Sequence, residues 1–463
     1  RGGVSKLLRT VHLMKIAPRP LAALMAALTY VGLGGAAQAD SLYEIYQLAE
    51  ERDPSLRAAA AARDAVLEVK PQSRAGLLPV IGLSGDVSRN SYDDRAALPG
   101  VTNPTYSTNQ SYSLSLTQPV FRWDRWVALE QADSLVAQAQ AQYGAAEQEL
   151  MVRTAERYFA VLGSQDAVRL AGKEKESIGR QLEQAQQRFE VGLSAITDVQ
   201  EAQARYDTAV ATEIRAQNQL ESAREQLREI IGEQRENLDP VRDTDFRLVT
   251  PEPQAQQSWV DTALQQNPGL AAARAGSEAA RQQIQIARSG HYPTLDANAS
   301  YSYLDSNFGG FRELERNDGT IGLQLAVPLY QGGAVNSRTR EARFRFDEAR
   351  ERLDVTQRAI ERQTRDAYRG VVTGISEVRA AEQARTSSTT ALDAAQTGFE
   401  VGTRTIVDVL DAQRALTQAE LTLYLARYNY LLNTLRLKQA AGTLAPDDLQ
   451  AITGWLEPTA SAQ

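Results

Sequence analysis

Two aspartates three residues apart are the side chains of this sequence best placed to do chemistry. Asp408 and Asp411 follow Arg404 and lie near the start of an apolar-periodic helix. Their spacing puts both carboxylates on one face of that helix, about 4.5 Å apart along its axis. Repeated around a symmetry axis, they would form two rings of negative charge that attract cations. The alternative is a structural role, in which Thr405 caps the helix and Asp408 stabilises its first turn.

The sequence is poor in the histidines and cysteines from which many catalytic and metal sites are built. It has no cysteine and two histidines, of which only His291 lies beyond the N-terminal segment. Because one histidine forms neither a triad nor a metal cluster, we predict no catalytic site, no metal and no cofactor, and therefore no enzyme. The formal net charge of −8 gives no reason to expect nucleic acid as a partner.

The segment that carries the two aspartates is duplicated within the chain. FEVGTRTIVDVLDAQ at 399–413 matches FEVGLSAITDVQEAQ at 189–203 in nine of fifteen positions. Each copy contains a Val-Gly break, at Gly192 and Gly402, which we interpret as the turn of a helical hairpin. The resemblance between halves extends over nearly all of the chain after residue 39 and predicts a two-fold internal repeat. The predicted units are residues 40–235, an inter-repeat linker at 236–258, residues 259–442 and a tail at 443–463, and linker and tail are expected to form a small girdle.

Four segments alternate apolar and polar residues with the period of two that is typical of strands. They lie at about 80–90, 110–121, 293–304 and 319–330, joined in pairs by polar loops at about 93–108 and 305–318. Alternating segments of about ten residues are typical of outer-membrane β-barrel strands. The alternative is a pair of half-buried hairpins on a soluble sheet.

Two long proline-free tracts follow the strand pairs and predict helical hairpins at about 123–231 and 334–440. Apolar residues recur every seven positions, as in coiled coils. The series in the second hairpin is Val409, Leu416, Leu423, Tyr430 and Leu437. In the first hairpin the corresponding series is interrupted by Glu213. The long arm at 123–190 would measure about 100 Å, so the shorter return arm needs an end-to-end neighbour, predicted to be the helix that begins at Pro54.

The first 39 residues have the features of an export signal. Met14 and Lys15 begin a short basic region, residues 21–33 are mostly apolar, and Ala37 and Ala39 form an A-x-A cleavage site. We therefore expect residues 1–39 to comprise a stretch upstream of the translation start, followed by a signal peptide that is cleaved off. A short membrane anchor is the alternative. Later stretches never reach 18 uncharged apolar residues, so no membrane-spanning helix is expected.

Four strands per chain are too few to close a barrel, and an open sheet edge is not tolerated in lipid. Two chains would supply eight strands, enough for a barrel filled by its own side chains, whereas three chains would supply twelve and leave a lumen. The same three-fold axis would gather twelve helical rods into a tube about 100 Å long. The pattern thus predicts a trimeric outer-membrane barrel continuous with a periplasmic helical tube.

The sequence resembles the TolC family of outer-membrane channel-tunnels over essentially all of the chain after residue 39. The segments that carry the resemblance are VGLSAITDVQ at 191–200, GHYPTLD at 290–296, PLYQGG at 328–333, GTRTIVDVLDA at 402–412 and ARYNYLLN at 426–433. The resemblance implies an α+β membrane protein, a homotrimer whose 12-stranded outer-membrane barrel (four strands per chain) continues into a 12-helix periplasmic coiled-coil barrel. It also implies an exit duct in contact with outer-membrane lipid, which receives drugs or polypeptides from an inner-membrane ABC or RND-type pump through a periplasmic adaptor.

The resemblance further assigns a gate to the hairpin tips. Arg404 would link the two tips and hold the tunnel end closed, with Thr197 and Asp198 as its partners. Phe399 departs from the family, which has a tyrosine at this position. The missing hydroxyl removes one hydrogen bond to Asp198, so the closed state would depend more heavily on Arg404. The alternative for Arg404 is a solvated surface charge.

The resemblance places the carboxylate rings of Asp408 and Asp411 at the periplasmic entrance, which would open by untwisting of the helix tips. Two rival functions remain at this point. A passive porin would have many strands per chain and no long helical tracts, and a periplasmic adaptor would have one hairpin flanked by all-β modules. Two hairpins with four strands favour the exit duct.

Overall fold

The computed structural model describes residues 40–92, 105–242, 246–308 and 312–456. The expected signal peptide lies outside these residues, as do most of the first predicted loop and the end of the tail. Within them, two successive repeats follow the same order of elements, so the predicted fold class with its internal repeat is confirmed.

Each repeat consists of a short helix, a second helical segment, two strands and a helical hairpin. The first repeat contains α1 (Leu42–Arg52), α2 (Pro54–Leu67), α3 (Val69–Ala75), β1 (Val80–Tyr92), β2 (Thr105–Phe121), α4 (Trp123–Glu190) and α5 (Ile196–Ile231). The second contains α6 (Gln256–Gln266), α7 (Pro268–Arg288), β3 (Thr294–Phe308), β4 (Arg312–Ala326), α8 (Ala334–Glu400) and α9 (Ile406–Ala441), and α10 (Pro446–Thr453) follows it. The short helices α1, α6 and α10 were not predicted.

The four strands form one antiparallel sheet in the order β1-β2-β3-β4. Apolar side chains lie side by side across all four strands, and the row Ile81, Leu116, Ala299 and Ile321 is one example. A polar row consists of Ser84, Ser113, Ser302 and Asp318. The apolar face is not covered, since Ile81 and Ile321 are 66% and 90% exposed. A half-buried soluble sheet would hide this face, so the structure favours the membrane-strand interpretation.

Four strand boundaries differ clearly from the predicted ones. β2 begins at 105 instead of about 110, and β3 and β4 extend through most of the region predicted as a loop at 305–318. These extensions are polar, but their backbones pair in register as far as Phe308 and Arg312, which local composition does not reveal. β4 ends at Ala326 instead of about 330, shortly before Pro328, whose ring nitrogen has no hydrogen to donate to a ladder.

The predicted helical hairpins are present, with α4 running over 68 residues and α8 over 67. In α9 the seven-residue series is buried at Val409, Leu423, Tyr430 and Leu437. Glu213 on α5, which interrupts the apolar series of the first hairpin, has a charged partner. Nζ of Lys175 on α4 lies 2.6 Å from its Oε2. Among the described helices, none is long and apolar enough to cross a membrane.

Short helical segments continue the line of the return arms, as the arm lengths indicated. Arg52, next to the start of α2, forms an ion pair with Glu233 just past the end of α5. In the second repeat, Nδ2 of Asn267 donates to the carbonyl of Ala440 at 3.0 Å, which joins the start of α7 to the end of α9. The helix predicted from Pro54 to Arg74 is broken at Glu68. Pro71 lies four residues after Leu67 and cannot donate to its carbonyl.

The inter-repeat linker and the tail pack together around the middle of the hairpins. Val241 pairs with Leu456, and the ring of Trp455 stacks on Tyr430 with centroids 6.4 Å apart. The hydroxyl of Tyr430 donates to the carbonyl of Val249 at 2.9 Å. We call the packed linker and tail the belt. Tyr430 belongs to the heptad series of α9 and also contacts the belt, so this one residue takes part in both.

Candidate functional site at the hairpin tips

Both hairpins turn through the same backbone motif, in which a glycine follows the last helical turn. Gly192 and Gly402 have φ of +76° and +79°, a region that residues with a Cβ rarely adopt. The N–H of Leu193 donates to the carbonyl of Arg188 at 2.7 Å, and the N–H of Thr403 donates to the carbonyl of Gly398 at 2.8 Å. These bonds form a Schellman motif, which satisfies carbonyls that the helix end leaves free. The two glycines therefore determine where each hairpin turns.

The turns expose apolar side chains at the extreme end of the molecule. Val191, Leu193 and Val401 are 69%, 70% and 69% exposed. Burial of such side chains is favourable by about 1.5–3 kcal/mol each when they are fully covered. The tips therefore present an apolar surface suited to contact with another protein.

Asp408 and Thr405 form a capping box at the start of α9. The N–H and the hydroxyl of Thr405 each donate to Oδ2 of Asp408 at 2.8 Å, and the N–H of Asp408 donates to the Thr405 hydroxyl at 3.3 Å. These hydrogen bonds stabilise the ionised carboxylate, so the pKa of Asp408 is lowered, with a smaller contribution from Arg404. Asp408 has the structural role considered as its alternative and stays charged in that role.

Arg404 lies on the surface of its own tip. Its guanidinium Nη1 is 3.6 Å from Oδ1 of Asp408, and its stem passes directly over Gly398. A Cβ on Gly398 would come within 2.7 Å of the Arg404 Cγ, so this glycine makes room for the arginine. Within one chain Arg404 does not reach its predicted partners Thr197 and Asp198. The order of Arg404 before Asp408 is the less favourable one for an intrahelical pair, which leaves the guanidinium weakly held.

The first tip differs from the second in its helix cap. α5 begins at the N-cap residue Ala195, whose side chain cannot accept a hydrogen bond, whereas α9 begins at Thr405. Asp198 occupies the position equivalent to Asp408, yet over the residues that the structure describes its carboxylate makes no hydrogen bond or ion pair. Among the described residues, Asp198 is therefore a carboxylate acceptor without a partner.

Asp411 contacts the other hairpin. Its Oδ1 lies 3.1 Å from Nη2 of Arg205 on α5, and Nε of Arg205 lies 3.3 Å from Oε1 of Glu201. The sequence reasoning missed Arg205, because nothing in the sequence indicates that positions 205 and 411 lie side by side. The only available signal was an arginine four residues after a glutamate on a helix that must face the second hairpin.

Phe399 also joins the two hairpins. The guanidinium of Arg188, at the end of α4, lies over the Phe399 ring at 5.0 Å from its centroid, a cation–π contact. Phe399 packs against the apolar cluster of the tips, which includes Ile178, Ile406 and Leu410. The ring therefore has a contact across the tips that needs no hydroxyl.

The histidine singled out in the sequence lies far from the tips. Nε2 of His291 is 3.2 Å from Oδ1 of Asn336, at the corner between α7 and β3. In the part of the chain that the structure describes, no three His, Asp or Glu side chains converge in a way that could hold a metal ion. The chemistry of the tips is thus that of charges, hydrogen bonds and apolar contacts.

The family model for outer membrane efflux proteins matches the chain twice, over residues 45–233 and 259–443. The two matches coincide with the two repeats and cover most of the chain. The chain belongs to the outer membrane efflux protein family. Membership accounts for both its duplicated hairpins and its four strands.

Curated relatives of this efflux protein support the assignment. It is 40% identical to the outer membrane protein TolC of Vibrio cholerae over 428 residues, which cover 92% of this chain and 96% of that protein. It is 38% identical to TolC of Escherichia coli, covering 96% of this chain and 90% of that protein. It is 30% identical to the alkaline protease secretion protein AprF of Pseudomonas aeruginosa, covering 89% and 86%.

Solved structures with low sequence identity share the fold of this efflux protein. The CusC structure, whose study concerns transmembrane channel formation, has a TM-score of 0.76 at 17% identity and covers 87% of this chain and 92% of its own. The open state of the MtrE outer membrane channel of Neisseria gonorrhoeae has a TM-score of 0.71 at 19% identity, covering 88% and 91%. The channel fold is thus preserved where the sequences have diverged.

Family membership establishes the broad function. The chain is an outer-membrane exit duct that extends into the periplasm, and it is a channel protein and not an enzyme. Proteins of this family form trimers and work with adaptor and pump partners in efflux and type I secretion. The porin and adaptor alternatives are not favoured, because neither combines two long hairpins with four strands.

Proposed function

We propose that three copies of this chain form a conduit that is closed at its periplasmic tips by Arg404 and opened by a periplasmic adaptor. Through this adaptor the conduit receives drugs or polypeptides from an inner-membrane pump of the ABC or RND type. The similarity to a protease secretion protein supports polypeptides as one class of cargo. The observation that carries the proposal is the difference between the two tips: within the described part of the chain, one tip holds a weakly bound arginine and the other holds an aspartate without a partner.

The sheet supports assembly around a three-fold axis. β1 and β4 are its two edges, and each pairs on one side only within the chain. Unpaired backbone groups are costly in lipid, so β4 of one copy would pair with β1 of the next. The exposed apolar face would then contact lipid, and the serine-rich face would line the lumen.

The tips support a gate between neighbouring copies. Among the residues that the structure describes, Asp198 is a carboxylate without a partner, and Arg404 is exposed and pairs only with Asp408, at 3.6 Å. In a ring of alternating hairpins, Arg404 of one copy can reach Thr197 and Asp198 of the next. An ion pair between exposed side chains contributes up to about 1 kcal/mol, and three such contacts close a tip that an adaptor can still open.

The exposed apolar turns supply the surface for that adaptor. Val191, Leu193 and Val401 lie beyond the gate residues, at the end that faces the inner membrane in the proposed orientation. An adaptor that covers them gains apolar burial, and this gain can offset the loss of the gate contacts. Opening would untwist the tips and widen the entrance, where Asp408 and Asp411 bias passage toward cations.

Single-channel recording in planar bilayers tests this proposal. Arg404→Ser removes the guanidinium and should raise the mean conductance several-fold over the unsubstituted trimer. Arg385→Ser, at a solvent-exposed position on α8 well away from the turn, is the matched control and should leave conductance unchanged. Unchanged conductance in Arg404→Ser would remove Arg404 from the gate. Crosslinking of the tips in cells would identify the adaptor.

A further inference from the structure

We propose that Arg205 is a second gate residue, which holds the two hairpins of one chain together through Asp411 and masks the charge of that aspartate until the tips separate. The inference rests on the proposed function, since it assumes that the tips form a closed entrance. It adds a contact within each chain to the proposed contact between chains.

Arg205 is placed between two carboxylates on different hairpins. Its Nη2 lies 3.1 Å from Oδ1 of Asp411 on α9, and its Nε lies 3.3 Å from Oε1 of Glu201 on its own helix. The Arg205 side chain is 30% exposed, against 58% for Asp411. Glu201 lies on the same helix as Arg205, one turn before it, and orients the guanidinium from within α5, whereas Asp411 is the partner that connects the hairpins.

The position of the pair along the tube makes it a tip contact. Arg205 lies nine residues after the start of α5, which places it about 14 Å above the turn. Another ion pair between the hairpins joins Arg436 to Glu156 and lies 30 residues along α9, about 45 Å from the turn. Movement of the tips about the belt would therefore separate Arg205 from Asp411 while leaving Arg436 with Glu156.

Among the charged groups around the pair, Arg205 is the one that neutralises the charge of Asp411. Arg205 and Leu410 line a groove of about 210 Å³ between α4, α5 and α9, where Glu174 and Arg414 are the other charged residues. Desolvation raises the pKa of Glu174, and Arg414 partly opposes this effect. In the described structure neither Glu174 nor Arg414 forms an ion pair with Asp411. Separation of α5 from α9 would thus leave Asp411 unneutralised.

The two aspartates of the entrance are held in different ways. Asp408 is held by its capping box whether the hairpins are together or apart, because its partners are local. Asp411 is held by a residue of the other hairpin. Opening therefore adds the negative charge of three Asp411 carboxylates to the three Asp408 carboxylates already present. Cation selectivity should rise as the entrance widens, and the two properties are coupled through Arg205.

Arg205→Gln tests both parts of the inference in reconstituted trimers. We expect mean conductance to rise about two- to fivefold, as loss of a partly exposed ion pair allows, and cation preference to increase because Asp411 is freed. Asp411→Asn should raise conductance to a similar degree but lower cation preference. Arg215→Gln is the matched control, because Arg215 lies on α5 and its bonds to described residues all fall within that helix. It should behave as the unsubstituted trimer.

Chemical rescue provides a second measurement on folded, inserted channels. The chain has no cysteine, so Arg205→Cys can be labelled selectively. A positively charged methanethiosulfonate reagent should lower the conductance again, and a negatively charged reagent should not. Equal effects of the two reagents, or an Arg205→Gln channel that conducts like the control, would overturn the role of Arg205. If Arg404→Ser raises conductance while Arg205→Gln does not, only this inference fails. If Arg404→Ser has no effect either, the proposed gate itself fails.

Discussion

Thr405 and Asp408 hold each other in a reciprocal pair of hydrogen bonds at the start of α9, whereas the equivalent residues Ala195 and Asp198 at the start of α5 do not. The two helices begin with the same turn motif and the same aspartate. Thr405 has a hydroxyl that hydrogen-bonds to Asp408, whereas Ala195 has only a methyl group. Asp408 is therefore held by its helix cap and Asp198 is not. The duplicated tips have thereby acquired different roles, one as a stable charged cap and the other as an available acceptor.

Ala195→Thr should convert the first tip into a copy of the second. The new hydroxyl would cap α5 and engage Asp198, a change worth about 1 kcal/mol of helix stability. Because Asp198 would then be less available to Arg404, we expect mean conductance in planar bilayers to rise. Ala195→Val is the control for side-chain size without a hydroxyl and should not raise it. A conductance equal in all three proteins would argue against Asp198 as the acceptor.

Asp408→Asn combined with Asp411→Asn should weaken the cation selectivity of the entrance. Removal of six carboxylates from a trimer removes the charge that concentrates cations there. Reversal potentials in a salt gradient should shift toward zero, and block by multivalent cations should weaken. The exposed pair Glu348 and Glu351 on α8, far from the tips, provides the control when both are changed to Gln. Unaltered reversal potentials would exclude the rings from the selectivity of the channel.

Thr405→Val should move the pH at which this selectivity is lost. The hydrogen bonds from Thr405 lower the pKa of Asp408, so the carboxylate stays ionised below the usual aspartate pKa of about 3.9. Valine keeps the shape of threonine but removes its hydroxyl donor, so the pKa rises toward its ordinary value. Loss of cation preference on acidification should therefore begin at higher pH in Thr405→Val. Thr403→Val, at the turn itself, should leave the profile unchanged.

Phe399→Leu should weaken the closed state, and Phe399→Tyr should not. Leucine keeps apolar contact but loses the ring face that Arg188 covers, a contact worth about 0.5–1 kcal/mol at an exposed site. We expect a higher open probability for Phe399→Leu in single-channel records. For Phe399→Tyr we expect an equal or lower value, since the ring is kept and a hydroxyl is added. The equivalent residue Phe189 supplies the control as Phe189→Leu.

Asp53→Ala should destabilise the fold near the belt in a pH-dependent manner. Asp53 is buried, caps α2 through the N–H of Leu56 and lies 2.9 Å from Arg153. Desolvation alone would raise the pKa of Asp53, but hydrogen bonds from Ser55 and Leu56 and the charge of Arg153 outweigh it, so the pKa is lowered. Its stabilisation is thus complete above the unfolded pKa of about 3.9 and is lost as pH falls toward the folded pKa.

Thermal unfolding in detergent measures this effect. Loss of the cap should cost about 1–2 kcal/mol at neutral pH, and the difference from the unsubstituted protein should shrink on acidification. Asn267→Ala removes the equivalent cap of α7, which is uncharged, and its cost should not vary with pH. Equal pH profiles for the two variants would contradict the assigned role of the Asp53 charge.

Much of the architecture can be predicted from local sequence patterns. The long arm predicted at 123–190 coincides with α4, because the tract contains no proline and a glycine of positive φ ends it. Alternation of apolar and polar residues located all four strands for the same reason, since a period of two is a property of the strand itself. Their polar ends at 105–109, 305–308 and 312–318 were missed, because pairing with a neighbouring strand decides them.

The sequence by itself determined the repeat, the hairpins, the turns at Gly192 and Gly402, and the pair of aspartates, because each depends on residues close together in the chain. Only the tertiary structure decided which partner each charge takes. Arg205 meets Asp411 across 206 positions, and Arg188 covers Phe399 across 211. Such contacts depend on how two hairpins are placed side by side, a relation set by packing along some 100 Å of coiled coil that no local pattern encodes.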